Sequence, residues 1–171
     1  SSGLLTTAYL TRRLGPDGYG LFILAATVIA WVEWSVAALF SRTTIKFISE
    51  AQDWRPVGAA VVWLHLLTSV GAMLLLILAA GPIAALLHEP HLAGYLRLFS
   101  LDIPLFSLAQ AHRNILVGTG GFRERAFASA GRWITRLLAI VILVQLGFSI
   151  PGAILGSIAA SVAELLIGRI Y

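Results

Sequence analysis

The 171-residue sequence contains no cysteine and one methionine, and only 12% of it is Asp, Glu, Lys or Arg. The missing cysteine excludes disulfides, thiol chemistry and thiolate metal sites. Charge is just as sparse, since soluble domains carry about 25%. Its four histidines never fall at HExxH or another metal spacing, and no GxSxG nucleophile elbow occurs. GTGG at 118–121 lacks the GxxxxGK[ST] pattern and any preceding strand, so it is no phosphate loop. No metal, cofactor or catalytic residue is expected. In place of these features stands apolar bulk: 58% hydrophobic residues and a mean hydropathy of +0.89. A soluble domain of this size could not bury so much, so lipid is the solvent for much of the surface. The net charge of +4 does not point to nucleic acid. Basic residues come in ones and twos between apolar runs, as flanking charges do, with no tract to follow a phosphate backbone.

A membrane-crossing helix needs roughly 20 mostly apolar residues. Six such runs can be read: 1–10, taken as the tail of a span, then 19–40, 57–80, 98–118, 126–146 and 150–168. Breakers separate them: Gly15-Pro16-Asp17-Gly18, Pro56, Gly81-Pro82, His88-Glu89-Pro90-His91, 118–121 and Pro151. The chain therefore reads as one all-α integral membrane domain over 1–171, opening inside a helix already under way. We expect a fragment. Gly15-Pro16-Asp17-Gly18 has tight-turn chemistry, with Pro setting φ and Gly freeing it, and Arg12 and Arg13 mark the polar boundary. The link 41–53 spaces Ile45 and Ile48 on one side and is expected to lie flat in the headgroup layer; 82–97 does so less clearly.

Orientation follows from Lys and Arg. One side holds Arg42, Lys46, Arg55, Arg123, Arg125 and Arg169, with Arg113 and Arg132 at its border. The other holds Arg12, Arg13 and Arg97, while Arg136 lies within the fifth span. The first side is cytoplasmic.

An ionisable group at mid-span costs about 2.5–3.5 kcal/mol on insertion scales. The ten Leu, Ile, Val and Phe residues of 19–40 favour insertion by roughly 3–6 kcal/mol in total. Glu33 near the centre of that span cancels half or more of this. It shares a helical face with Ala26, Ala30 and Ala37. Such small-residue stripes let helices approach closely, so Glu33 faces other helices or a wet cavity. Gly152, Gly156, Ala160 and Glu164 repeat the pattern in the sixth span. Arg132 and Arg136 share a face with Ser129, Asp102 precedes Pro104, Arg113 lies three turns beyond Asp102, and His65 has Ser69 and Ala72 on its side.

Two readings stand for this set. The plainer one makes these groups interfacial anchors or buried ion pairs, and it weighs more for Arg113 and Arg132, which can snorkel. It also weighs more for Asp102, suited to a helix first turn, and for His65 as a hydrogen-bonded core histidine. The sharper one is a hydrophilic path with basic groups for an anionic substrate and acidic groups that titrate. For Glu33 and Arg136, the deepest, the two are balanced; Glu164 lies between.

The hairpin TRRLGPDGYGLF, 11–22, resembles a signature that follows the first helix of polysaccharide flippases, through Arg13, Leu14, Gly15, Pro16, Tyr19 and Gly20. These are the O-antigen and exopolysaccharide lipid exporters of the multidrug/oligosaccharidyl-lipid/polysaccharide superfamily. TTIKFISEA at 43–51 is similar to the family's basic segment after helix two, and 96–123 to its fourth helix. One departure is Asn114-Ile115-Leu116-Val117, where the family often has a second basic residue near 117. The resemblance covers essentially the whole chain.

It implies the N-terminal lobe of a two-lobed transporter in the cytoplasmic (inner) membrane. Such proteins flip a polyprenyl-pyrophosphate-linked oligosaccharide by alternating access, for surface polysaccharide biosynthesis. Arg136, then Arg113 and Arg132, are the candidates for the headgroup, since guanidinium binds phosphate oxygens in bidentate fashion. Glu33, then Glu164 and Asp102, are those for H+ or Na+ coupling. Membrane lipids and the C-terminal half are the other partners. Three alternatives remain open: a drug or cation antiporter of the same superfamily, a membrane-embedded glycosyltransferase or polymerase, and a non-transporting membrane scaffold, which leaves mid-span Glu33 unexplained. Links of about 16 residues without DxD or ExD weigh against the enzyme.

Overall fold

The computed structural model describes residues 2–170, with side-chain surroundings from Thr7 to Arg169; Ser1 and Tyr171 lie outside the described residues. It is helical throughout, with no strand among the described residues. Among the described residues six helices follow one another: α1 Ser2–Glu50, α2 Trp54–Leu86, α3 Leu92–Phe99, α4 Asp102–Gly118, α5 Phe122–Leu143 and α6 Ser149–Ile170. A π-helical turn, Val144–Phe148, joins the last two.

Glycine and proline set the breaks. Gly15 has φ 72° and ψ 173°, a conformation an L side chain rarely adopts, and it divides α1 into arms 2–14 and 16–50. The arms fold toward each other, because the Tyr19 hydroxyl donates to Thr7 Oγ1 at 3.4 Å. Twelve residues along a straight helix would separate these groups by about 18 Å. Gly147, at φ 91°, makes the matching break before α6. Pro16, Pro56, Pro104 and Pro151 each lie in or beside a helical first turn, where the missing N–H costs nothing. Asp53 caps α2 by accepting from Arg55 N at 3.1 Å.

Four stretches are long and apolar enough to cross a membrane: Thr7–Glu50, Trp54–Leu86, Leu92–Gly118 and Phe122–Arg169. The breaks at Gly15 and Gly147 divide the first and last of these, and the described residues form a multi-pass membrane bundle; the short arm 2–14, about 20 Å long, does not cross alone. Two details depart from the sequence reading. Residues 41–50 continue α1 as one helix, because nothing in SRTTIKFISE breaks it. Gly81-Pro82 does not close α2, which runs on to Leu86. A proline is tolerated inside a membrane helix where its neighbourhood re-satisfies the backbone. Within 82–97, residues 87–91 form a turn and 92–97 belong to α3, whose Leu92, Leu96 and Phe99 are buried in the core.

α1, α4, α5 and α6 pack around one another, with α2 against α1 and α4, and α3 against α1, α2 and α6. The hydrophobic core sits toward the end carrying Gly15 and Gly147. It gathers Leu10, Phe22 and Ile29 of α1, Leu96 and Phe99 of α3, and Ile140 and Ile154, with Phe22 stacked on Phe99 at 6.3 Å. In lipid such packing is held by close contact rather than by water exclusion. Gly156 shows how close: a Cβ there would sit 2.6 Å from Ile140 Cγ1 and 2.7 Å from Ile140 N. Outside the core, Trp31, Leu39, Leu75, Leu78 and Leu86 stand exposed, as lipid-facing side chains do. Arg42, Lys46, Arg55, Arg123, Arg125 and Arg169 lie at one end of the bundle; Arg12, Arg13 and Arg97 lie at the other.

Candidate functional site

Where the core stops, a cavity of about 570 Å³ begins; Ile29 and Phe99 belong to both. Its lining comes from α1, α3, α4, α5 and α6, and it includes all six residues singled out from the sequence. Glu33 stands at the middle of the long arm of α1, seventeen residues from either end. Ala26, Ala30 and Ala37 accompany it in the wall, so the small-residue stripe faces the cavity as its spacing implied. Asp102 opens α4 in its first turn and is 3% exposed. Arg113 follows on α4, Arg132 and Arg136 are one turn apart on α5, and Glu164 ends the stripe of α6.

These charges are not equivalent. Glu164, 1% exposed, accepts from Arg113 Nη1 at 2.8 Å through one oxygen and from Arg132 Nη1 at 3.1 Å through the other. One carboxylate thus ties α4 and α5 to α6. The Phe106 ring lies beneath both guanidiniums, 5.4 Å from that of Arg113 and 4.7 Å from that of Arg132. Gln110 Oε1 accepts a further hydrogen bond from Arg113 Nη2, and Gln110 Nε2 donates to Asn114. Phe106, Gln110 and Arg113 are four and three residues apart, so one face of α4 builds the whole support.

Deeper in, the pairing ends. Among the described residues, Glu33 Oε1, Asp102 Oδ1 and Arg136 Nε are buried with no hydrogen-bond partner. Arg136 rests against the Trp133 ring at 5.7 Å and has no carboxylate within salt-bridge distance among those residues. Buried charge left unpartnered by protein costs several kcal/mol, and it persists where water or a ligand completes it. With all six groups ionised, the wall is formally neutral. Protonating Glu33 and Asp102 would leave two positive charges in excess.

His65 lies outside this cavity. It is fully buried, shares a 2.9 Å hydrogen bond with Ser107 Oγ and packs against Phe40, as a core histidine does. The sequence reading missed Phe106, Gln110, Trp34 and Trp133. The signal for the first two was present in their spacing from Arg113. Nothing in the pattern separated Trp34 and Trp133 from lipid-facing tryptophans, because both are largely exposed at the cavity wall.

Comparison with known proteins agrees with this architecture. The polysaccharide biosynthesis protein family matches residues 2–171. The chain is 30% identical over 146 residues to the succinoglycan biosynthesis transport protein ExoT of Rhizobium meliloti (strain 1021), covering 85% of this chain and 29% of that protein. It is 27% identical over 177 aligned positions to a Shigella flexneri protein bearing the name "Putative O-antigen transporter", covering 95% of this chain and 41% of that protein. The chain thus spans less than half the length of either relative. No solved structure matches it. On the match across its length, with the hairpin and membrane helices it accompanies, the chain belongs to the polysaccharide biosynthesis protein family.

Proposed function

We propose that this chain is the N-terminal lobe of a transporter that flips a polyprenyl-pyrophosphate-linked oligosaccharide across the cytoplasmic membrane by alternating access. The names of its relatives support polysaccharide export rather than drug or cation antiport or sugar transfer. The observation that carries the reading is the shared cavity. Three arginines from two helices converge at mid-bundle, where charge is costly and a crossing pyrophosphate needs it. Arg136 is the principal headgroup ligand, since its guanidinium has no carboxylate partner within the described residues. Arg113 and Arg132 assist from their positions over Phe106.

Coupling follows from the same geometry. Glu33 and Asp102 hold the carboxylate oxygens left without partners, so they are the groups that take up a proton or Na+. Their neutralisation raises the positive charge of the wall and so the affinity for phosphate. Glu164 is committed to two arginines and serves instead as their counter-ion, a reassignment from the coupling role. The dense core toward the Gly15 end and the lining that reaches Ser41 and Arg113 support an inward-facing state.

In cells whose only exporter is the full-length protein, Arg136→Ala should leave membrane insertion normal and abolish surface polysaccharide, while Arg136→Lys retains part of it. Normal polysaccharide from the alanine variant would remove Arg136 from the mechanism.

A further inference from the structure

We propose that a second groove, separate from the charged cavity, seats an anionic phospholipid of the cytoplasmic leaflet. It has a volume of about 480 Å³ and lies between the first turns of α2 and the last turns of α4 and α6. It shares no lining residue with the charged cavity. These helix ends belong to the basic end of the bundle, which the Lys and Arg distribution places in the cytoplasm.

Charge and shape identify the occupant. The charged cavity is lined by three carboxylates as well as three arginines, whereas no Asp or Glu lines this groove among the described residues. Its ionisable groups are Arg169 and His112. Arg169 is exposed and makes no salt bridge among those residues. His112 Nδ1 donates to Leu108 O at 2.9 Å, so Nε2 of the neutral ring is an acceptor, suited to a headgroup hydroxyl and not to the phosphate. Apart from Thr119, whose hydroxyl donates to the α4 backbone, the remaining walls are apolar, with Trp54 and Trp63 on one side, 43% and 62% exposed. Nine residues along a helix span about 13 Å, so the two indoles run from headgroup level into the acyl region. A free anion would use the basic mouth and leave the tryptophan wall bare. A phosphate on Arg169, a headgroup hydroxyl on His112 and an acyl chain along Ala59 and Trp63 use both.

The test takes the full-length protein in phosphatidylcholine nanodiscs and adds phosphatidylglycerol or phosphatidylcholine with brominated acyl chains. Quenching that disappears in a Trp54→Phe/Trp63→Phe variant isolates the signal of this groove. Phosphatidylglycerol should reach half-quenching at about one-fifth of the mole fraction that phosphatidylcholine needs, the preference one basic residue gives at a membrane surface. Arg169→Ala should erase the preference. Ala59→Leu, which fills the groove without touching charge, should weaken quenching by both lipids. Both residues are exposed, so the fold tolerates the changes. Equal quenching by the two lipids, or a preference undiminished in Arg169→Ala, overturns the proposal.

Discussion

At the scale of single residues, insertion cost made the site legible. Glu33 was found because a carboxylate in an otherwise apolar run must be justified by its surroundings, and it does face the cavity. The same reasoning gathered Asp102, Arg113, Arg132, Arg136 and Glu164 but could not tell which were paired. Pairing depends on the distance between helices far apart in sequence, and 51 residues separate Arg113 from Glu164. That distance now gives a prediction. Glu164→Ala strands two partly buried guanidiniums and should cost about 3 kcal/mol in unfolding free energy. Combined with Arg113→Ala, the loss should be clearly less than the sum of the single losses, as for residues sharing one network. Strict additivity in a double-mutant cycle would break the proposed tie. Glu33→Gln with Asp102→Asn mimics the protonated wall. That variant should still bind lipid-linked pyrophosphate in a pull-down yet fail to export it, and loss of binding would contradict the coupling role.

At the scale of elements, backbone chemistry spoke more plainly than hydropathy. Gly15, Pro16, Pro56 and Pro151 mark helix boundaries that the structure keeps, because φ and the missing N–H act locally. Hydropathy misplaced the end of α1. Residues 41–50 turn polar without ceasing to be helical, since polarity reports the solvent and not the backbone. The Gly152–Gly156–Ala160–Glu164 stripe was legible as a packing face, and α5 does pack there. Gly156→Ala should therefore destabilise the bundle by about 1–3 kcal/mol through overpacking against Ile140. Gly94→Ala, in α3 where a Cβ meets nothing within 4 Å, is the control for the helix propensity that alanine adds. Equal unfolding midpoints for the two variants would mean that α5 and α6 do not meet closely at Gly156.

At the scale of the whole molecule, the Lys and Arg imbalance between the two ends supports the proposed orientation, and the cavity gives a reason for charge at bilayer depth. The central claim is that Glu33 and Arg136 turn toward a shared wet interior while the opposite face of α5 meets lipid. Because these residues include no cysteine, single thiols can be placed without interference from within this stretch. In a full-length chain freed of any other cysteine, Glu33→Cys, Arg136→Cys and Leu138→Cys are each treated with a charged, membrane-impermeant methanethiosulfonate in inside-out vesicles. Leu138 is 56% exposed on α5 and absent from the cavity lining, which makes it the lipid-facing reference. The account predicts prompt labelling at 33 and 136 and none at 138. Labelling at 138 as fast as at 136, or none at 33 and 136, would contradict it.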